Sequence, residues 1–528
     1  MRDSRGVTLS PRTPVLVGVG QDSERLDDPA YGRYSPVELA ARAGRRALED
    51  CAARDLRAVA RAIDAVAAVR QFEVSTPWAQ APLGRSDNVP RSIAVRLGAD
   101  PRRAVLEITG GHSPQKLVTE FAGEIAAGRA DVVLLAGAEA ISTARALTSG
   151  RAGGAAAPDW TESVDGALED RGFGLAGLFS DDTVRHGLVD APSHYALFET
   201  ARRARLGLSR PAHAQEMAEL FAPFTRVAAA NPHAAAPTEL SVEELATPSP
   251  RNRMIADPYT RLLVSRDQVN QSAAVLLMSI EAAERLGVPR DRWVFLHGHA
   301  DLRERDLLDR TDLSTSPAAG LAARHALEVA GVGVDDVSWI DLYSCFPIAV
   351  SVVCESLGLR PDDPRGLTLT GGLPFFGGAG NDYSMHAIAE VVLRARTDPS
   401  GYGLVGANGG FLSKHSVGVY SARPGEWRAD DSARLQARID GESAPPQVSS
   451  PDGPATIETC TVAHRADGRT GIVVGRLDAD GSRFLAARSD ADGAGADEAF
   501  ELLSTGEPVG APIGVRSTDT GNRFSPVG

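Results

Sequence analysis

The sequence predicts an α/β fold made of two similar halves, and two observations carry that prediction. Continuous apolar runs alternate with helical patterns, which is typical of a parallel sheet covered by helices on both faces. The same order of elements occurs before residue 150 and again after residue 288. A Thr-Gly-Gly turn precedes a helix in both copies, in "ITGGHS" near residue 108 and "LTGGLP" near residue 369. A repeated order with a repeated turn indicates a duplication.

The first half contains short apolar strand patterns separated by amphipathic helices. Its strands are predicted at residues 14–20, 103–108 and 131–142, and its helices at 35–53 and 112–128. In the later helix, Ser113 is the expected N-cap and Pro114 takes the first helical position.

The second half repeats this alternation. Its strands are predicted at residues 292–300, 337–344 and 402–410, and its helices at 320–331 and 346–358. Between the halves lies an insertion, residues 151–262, with Pro- and Ala-rich loops such as "AAANPHAAAPTELS". A long insertion after a strand usually covers the ligand crevice of an α/β fold, because such crevices lie at the carboxyl ends of strands. The insertion is therefore predicted to form a lid, and residues 263–288 return to the first half.

A change of composition follows residue 425. Residues 426–452 read as a linker, since they include "DGESAPPQVSSPDGPA". Residues 453–528 show alternating runs joined by Asp-Gly turns, which are hairpin signals, and predict a small OB-like β domain. The polar linker predicts that this domain folds apart from the core.

Composition excludes several classes of function. The net charge of −14 argues against nucleic acid or an anionic membrane as the main partner. No apolar run reaches membrane-spanning length, and the N-terminal residues do not resemble a signal peptide. Four cysteines without paired spacing predict neither a disulfide framework nor a metal site, and they fit a reducing cytoplasm.

Five segments in order carry a resemblance to a known family. They are "EIAAGRADVVLLAGAEAIS" after the first Gly-rich turn, "DQVNQSAAVLLMS" (267–279), "IDLYSCF" (340–346), "GGLPFFGGAGNDYSMHAIAE" (371–390) and "GANGGFLSKHSVGVYS" (406–421). Over roughly residues 10–425 the chain resembles the thiolase superfamily, closest to the sterol-carrier-protein type and to actinobacterial thiolase-like proteins with an extra C-terminal domain. The resemblance implies two βαβαβαββ halves, 1–150 and 289–425, in five αβαβα layers with an inserted loop domain.

The resemblance also shows which catalytic groups are absent. Thiolases use a nucleophilic cysteine, a histidine from a Gly-His-Pro motif, a second cysteine, and an Asn or His that holds an oxyanion water. The nucleophile position falls on Gly111, or on His112 with one residue of slip. The activating histidine aligns with Gly378 and the second cysteine with Ala407. Covalent catalysis cannot start without a nucleophile.

The fourth catalytic position survives in altered form. The sterol-carrier type has His-Asp-Cys-Phe where this chain has "YSCF", so Cys345 matches and Tyr343 replaces the histidine. Cys345 is a candidate catalytic group, with an inert buried thiol as the alternative.

Other candidates cluster at the Gly-rich turns. At the helix N-terminus, His112 is expected to be neutral and to act as a base or donor, with a loop or capping role as the alternative. His386 follows Asn381 and Tyr383 and would form a second wall, although it also fits simple packing. His415, beside Lys414, is expected to contact substrate, or else to cap a strand. The expected acyl-CoA contacts are Gly110, Gly111, Asn381, Tyr383, Asn408 and Gly409.

Two functions remain open. One is an acyl-CoA-binding homologue of the acetyl-CoA acetyltransferases with doubtful condensation or thiolysis, or only a CoA-binding module. The other, implied by thiolase-fold relatives that lack the nucleophile, is a retro-aldol lyase acting on a 3-hydroxyacyl-CoA. The implied ligand is coenzyme A or an acyl-CoA, with no covalently bound cofactor. The arginines of residues 199–210 are candidates to bind its phosphates; alternatively, they form an ordinary solvent-exposed helix face. A homodimer through the core and a protein partner for the C-terminal domain are further expectations.

Overall fold

The structure is a computed structural model that describes residues 6, 8–149, 157–493 and 495–527. Its first half and insertion contain the elements β1 (Pro14–Ser23), α1 (Pro36–Asp50), α2 (Leu56–Arg61), β2 (Ala65–Ala68), α3 (Val89–Leu97), β3 (Arg103–Leu106), α4 (Ser113–Ala126), β4 (Val132–Ala140), α5 (Ile141–Thr148), β5 (Glu169–Asp170), α6 (Asp181–Arg185), α7 (Ala191–Leu206), α8 (Arg210–Ala230), α9 (Val242–Ala246), β6 (Met254–Ala256), β7 (Tyr259–Thr260), β8 (Asn270–Ser279) and α10 (Ile280–Arg285).

The remaining elements belong to the second half and the C-terminal region. Their elements are β9 (Phe295–Arg303), α11 (Pro317–Ala330), β10 (Val337–Leu342), α12 (Pro347–Leu357), α13 (Tyr383–Thr397), β11 (Tyr402–Gly409), β12 (Lys414–Ser421), α14 (Ser432–Asp440), β13 (Asp452–Arg465), β14 (Gly468–Leu477), β15 (Arg483–Ser489), α15 (Ala496–Thr505), β16 (Pro512–Thr518) and β17 (Gly521–Pro526).

The two central sheets confirm the predicted duplication. The first has the order β1-β8-β4-β2-β3-β5, and the second has the order β9-β12-β11-β10. In both, the first two pairs are antiparallel and the third is parallel. The strands of one half therefore superimpose in order on those of the other.

The two sheets and their helices form five layers that enclose three apolar clusters, as the fold class predicts. Helices α4 and α13 lie between the sheets, where Phe121 and Ile388 join one cluster with Val133 and Val405. Helix α1 covers the outer face of the first sheet. Helices α11 and α12 cover the outer face of the second. This arrangement places the N-termini of the two central helices at the carboxyl ends of the strands.

The start of α4 differs by one residue from the prediction. His112, and not Ser113, is the N-cap, and its side chain makes no capping hydrogen bond. Ser113 lies within the helix and its Oγ donates to Ile108 O at 2.9 Å. The hydroxyl is thus used to close the preceding turn.

The C-terminal region forms one antiparallel sheet in the order β15-β14-β13-β16-β17, with α15 between β15 and β16 along the chain. Asn522 Nδ2 on β17 donates to Leu485 O on β15 at 2.8 Å, which brings the outer strands together. The sheet also reaches the insertion, because β6 pairs with β13 through Ala256 and Ala463.

This region is not separated from the core, contrary to the expectation from the linker. Ile472, Val474 and Leu485 belong to the same apolar cluster as the insertion and the second half. Arg483 is wholly buried and its Nη1 donates to Leu308 O at 2.8 Å. The stretch predicted as a linker contains α14, and Asp301 N on β9 donates to Ser432 Oγ at 2.9 Å. The expected separation was inferred from the polar composition of the linker alone. That composition gives no information about the apolar faces of the strands that follow, and these faces contact the core.

Among the described residues, no helix is long and apolar enough to cross a membrane. The same residues contain no group of His, Cys, Asp and Glu side chains arranged to hold a metal ion.

Candidate acyl-CoA site

Three segments meet at the candidate site. They are the turn before α4 (residues 109–112), the segment after β10 (343–346), and the hairpin between β11 and β12 (408–415). The turn and the hairpin touch directly, since a Cβ atom on Gly409 would come within 3.0 Å of Gly110 Cα. The topology thus brings together the motifs that sequence reasoning selected from both halves.

Tyr343 occupies the space beside Gly111, the residue that the resemblance aligns with the thiolase nucleophile. A Cβ atom built on Gly111 would overlap the hydroxyl oxygen and Cζ of Tyr343. No side chain, and so no cysteine, fits at residue 111 while the phenol keeps this position. Burial and the nearby Cys345 raise the pKa of Tyr343 well above its ordinary value, so the phenol stays protonated.

The space beside Gly378, which the resemblance aligns with the activating histidine, is also occupied by other residues. A Cβ atom on Gly378 would overlap Ser265 Oγ and lie 3.1 Å from Arg266 O. Gly378 N donates to that same carbonyl at 2.8 Å, which fixes the close approach. Side chains from other segments therefore lie against both Gly111 and Gly378.

His112 is buried at the turn, where glycines make room for its ring. A Cβ atom on Gly110 or Gly409 would lie 2.5 or 2.6 Å from His112 Nδ1. Burial, and then the Lys414 ammonium, hold the pKa of His112 well below its ordinary value. Its buried Nδ1 has no hydrogen-bond partner among the residues that the structure describes. The predicted neutral imidazole is in place.

Asn381 and Tyr383, predicted as ligand contacts, make hydrogen bonds within the protein. Asn381 accepts from Gly110 N at 3.0 Å and donates to Arg70 O at 2.7 Å. The Tyr383 hydroxyl lies 2.5 Å from Thr370 Oγ1. These contacts tie the two central helices to the Gly-rich turns, so both side chains support the site from behind.

His386 is separated from the other candidates. Its Nδ1 lies 2.7 Å from Gln21 Oε1 on β1, and its ring packs edge-on against Phe376. Tyr383 and His386 on α13 are both wholly buried. His386 belongs to the core, which was the alternative considered for it.

Cys345 lies in a hydrogen-bonded group that includes a residue missed by sequence reasoning. Asn408 Nδ2 donates to Tyr195 Oη at 2.8 Å and lies 3.7 Å from Cys345 Sγ. Tyr195 comes from α7 of the insertion and stacks on Phe346 at 4.3 Å. Burial raises the pKa of Cys345 to about 12, which leaves the thiol protonated and unreactive. The contact between Tyr195 of the insertion and the β11–β12 hairpin becomes apparent only in the folded structure.

His415 and Lys414 are fixed by neighbouring groups. His415 Nε2 lies 3.3 Å from Ser316 Oγ, and that hydroxyl donates to Glu304 Oε2 at 3.0 Å. Burial lowers the pKa of His415 to about 4. Lys414 Nζ donates to Thr109 O at 3.1 Å and Gly174 O at 2.6 Å, and burial lowers its pKa to about 8. Lys414 therefore holds the turn to the insertion and does not point at a free anion site.

A small cavity of about 20 Å³ lies at the centre of these groups, lined by Tyr343, Ala407, Asn408 and His415 together with apolar side chains. This volume holds about one water molecule. The site is closed around the Tyr343 phenol.

Arginines of the insertion form ion pairs instead of a free phosphate site. Arg202 pairs with Glu355 at 2.7 Å and Glu216 at 2.9 Å, and Arg210 pairs with Asp257 at 2.7 Å. The helix face expected to be solvated is partly buried and links the insertion to α12 and to its own strands.

A solved structure spanning the chain decides the family. The monomeric SCP2-thiolase-like protein type 1 from Mycobacterium smegmatis is 50% identical, with a TM-score of 0.84, over 98% of this chain and 100% of that one. The family described as "Thiolase-like protein type 1 additional C-terminal domain" matches residues 434–520. This chain belongs to the type 1 SCP2-thiolase-like proteins. In this SCP2-thiolase-like protein the matched region begins within α14.

Curated relatives of the SCP2-thiolase-like chain are more distant. The benzoylsuccinyl-CoA thiolase subunit BbsB of Thauera aromatica is 29% identical over 36% of this chain and 46% of its own length. The acetyl-CoA acetyltransferase of Methanothermobacter thermautotrophicus is 28% identical over 32% of this chain and 42% of its own length. The chain matches less than half the length of these relatives. A structure described as the Ltp2-ChsH2(DUF35) aldolase is 18% identical with a TM-score of 0.55 over 78% of this chain and 98% of that one, which shows the shared fold.

Proposed function

We propose that this thiolase-like protein binds a CoA thioester without covalent thiolase chemistry. The observation that carries the proposal is the Tyr343 phenol in the place of any side chain at Gly111. Acyl transfer to the enzyme needs a nucleophile at that point, and the buried Cys345 thiol is not activated.

The identity of the ligand rests on the family relation. The curated relatives carry names of enzymes acting on CoA thioesters. In this chain a buried phenol, the Asn408 amide and the His415 imidazole line the same small cavity. These groups would hydrogen-bond a thioester carbonyl once the ligand displaced the cavity's contents.

A second candidate is the retro-aldol lyase. The raised pKa of Tyr343 has burial and Cys345 as its causes and no hydrogen bond among them, so this protonated phenol is available to serve a substrate alkoxide or enolate. Retro-aldol cleavage needs such an acid or donor and no covalent intermediate. The C-terminal sheet, which we interpret as OB-like, contacts the insertion beside this site.

Assembly and location complete the proposal. The relative from Mycobacterium smegmatis is described as monomeric. In this chain β5 pairs with β3, so the edge of the first sheet is covered by the chain's own insertion. We favour a monomer over the homodimer expected from the resemblance. Buried, unpaired cysteines suit a cytoplasmic location.

Two measurements on the full chain test the proposal. Calorimetry should show saturable binding of CoA or acetyl-CoA, and intact mass should stay unchanged after incubation with acetoacetyl-CoA. If an adduct forms, Cys345→Ser should be compared with Cys460→Ser, which removes a buried cysteine of the C-terminal sheet. An adduct lost only in Cys345→Ser, or no binding at millimolar ligand, would contradict the proposal.

A further inference from the structure

A second cavity, of about 710 Å³, lies at the carboxyl ends of β2 and β3. Arg70 and Gln71 line it just after β2, and Leu106 lines it at the end of β3. Small-molecule sites have volumes of this order, and open parallel sheets bind ligands at this end of their strands. It shares no lining residue with the small cavity at Tyr343.

Two segments of chain form the outer wall of this cavity and are fastened to each other. Trp160 N donates to Leu83 O at 2.5 Å, and Asn88 Nδ2 donates to Gly166 O at 3.1 Å. Arg91 Nε donates to Ala167 O at 3.2 Å. These bonds hold the wall in place without any ligand, so the cavity is preformed.

The carboxylates that line the cavity already have partners. Asp87 accepts from the Ser163 hydroxyl and from Val164 N at 3.0 Å. Glu162 accepts from both terminal nitrogens of Arg96, at 3.2 and 2.6 Å. Asp170 accepts from the Arg70 guanidinium and from Gly172 N at 2.8 Å. No lining carboxylate among the described residues is left to attract a cation.

Of the two lining arginines, Arg70 is paired with Asp170, and Arg85 has no partner among the described residues. Arg85 is exposed and forms no ion pair or hydrogen bond through its side chain with any described residue. Arg70 is 5% exposed, and its Nε has no hydrogen-bond partner in the described part of the chain. Because that Nε atom is shielded from solvent, the exposed Arg85 guanidinium is the group that an anionic ligand can reach.

Beside polar residues such as Gln71 and Thr161, the lining contains a set of apolar side chains. Val74, Val89 and Leu106 form its inner side, and Leu168 and Phe173 come from the facing segment. The Arg70 guanidinium lies over the Phe173 ring at 4.8 Å, which keeps the charged group at one end of this surface. The cavity therefore offers one anion-binding end and one hydrocarbon-binding wall.

We propose that this cavity binds an amphipathic monocarboxylate, with its carboxylate at Arg85 and its hydrocarbon body on the apolar side chains of the lining. The cavity also adjoins the candidate site from behind, because Phe173 O accepts from Thr109 N at 3.2 Å. Binding here is independent of the proposed CoA site, since the two linings do not overlap.

Calorimetry of the full chain with sodium octanoate and with 1-octanol tests this assignment. Octanoate should bind with a dissociation constant below about 1 mM, and Arg85→Gln should weaken it roughly tenfold, as expected for a charge-assisted contact. Octanol should bind wild type and Arg85→Gln equally. Leu168→Asp should abolish octanoate binding, because it puts a repelling carboxylate on the apolar wall.

The matched control is Arg438→Gln, which removes an exposed arginine of α14 and should leave octanoate affinity unchanged. CoA affinity, measured on the same variants, should not move. Absence of saturable octanoate binding would overturn the proposal. So would equal octanoate affinity in wild type and Arg85→Gln, or binding that survives Leu168→Asp and is displaced by CoA.

Discussion

The two Thr-Gly-Gly turns of the duplicated fold have taken different neighbours. At the first, a single side chain from the opposite half, Tyr343, fills the space beside Gly111. At the second, the insertion lies against the turn, and a Cβ atom on Gly371 would come within 2.5 Å of Ala228 Cα. One turn is filled by a side chain and the other by a helix backbone. Space beside Gly111 can therefore open by the movement of one side chain, whereas space beside Gly371 cannot.

The largest expected loss of stability comes from a substitution at the second turn. Gly371 has φ of +114° and faces the backbone of α8, so Gly371→Ala should lower the free energy of unfolding by about 3 kcal/mol or more. Urea denaturation followed by tryptophan fluorescence measures this loss. Removing a nearby side chain, in Phe224→Ala, should not restore stability, because the obstacle is main chain. A loss below about 1 kcal/mol would show that α8 yields easily.

At the first turn the cost should be smaller and reversible. Gly111→Ala should lower the free energy of unfolding by about 1–3 kcal/mol, because its methyl group meets the Tyr343 ring. Adding Tyr343→Ala should recover part of the loss, which a double-mutant cycle detects as coupling of about 1–2 kcal/mol. Gly123→Ala on α4 is the control, since its Cβ would have an ordinary 3.5 Å contact with Trp427. Independent, additive effects of the two site substitutions would reject the direct contact.

The sequence predicted the layers of the fold better than the state of the site. Apolar periodicity and the repeated order located β1, α4 and β11 within a few residues, because burial of regular elements leaves a local pattern. The sequence itself shows glycine at positions 111 and 378, where the resemblance expects catalytic residues. What filled those places, Tyr343 and Ser265, is far away in sequence and follows no local rule. Tyr195 could not be predicted for the same reason, because it reaches the hairpin from a distant helix of the insertion.

A fall in pH should lower stability through the candidate site, which contains His415. The second turn should contribute less to this loss, because residues 366–378 contain no histidine. Burial lowers the pKa of His415 to about 4, from an ordinary 6.5. Its contribution to stability is therefore complete above pH 6.5 and is lost as pH falls towards 4. Between pH 7 and 5, wild type should lose about 2 kcal/mol that His415→Gln does not lose. Parallel curves for the two proteins would mean that His415 is not buried as a neutral ring.

The smallest expected effect on stability comes from the substitution most informative about chemistry. Tyr343→Phe keeps the ring that fills the space beside Gly111 and removes a hydroxyl without a hydrogen-bond partner in the described residues. The free energy of unfolding should therefore change by less than about 0.5 kcal/mol, and acyl-CoA affinity should change little. If the protein is the lyase, cleavage of a 3-hydroxyacyl-CoA should fall by about 10²-fold, the usual cost of one positioned acid or oxyanion donor. If it only binds CoA thioesters, neither protein will cleave the substrate. Full cleavage by Tyr343→Phe would remove the phenol from the chemistry and leave it the role of space-filler, which the first turn needs in either case.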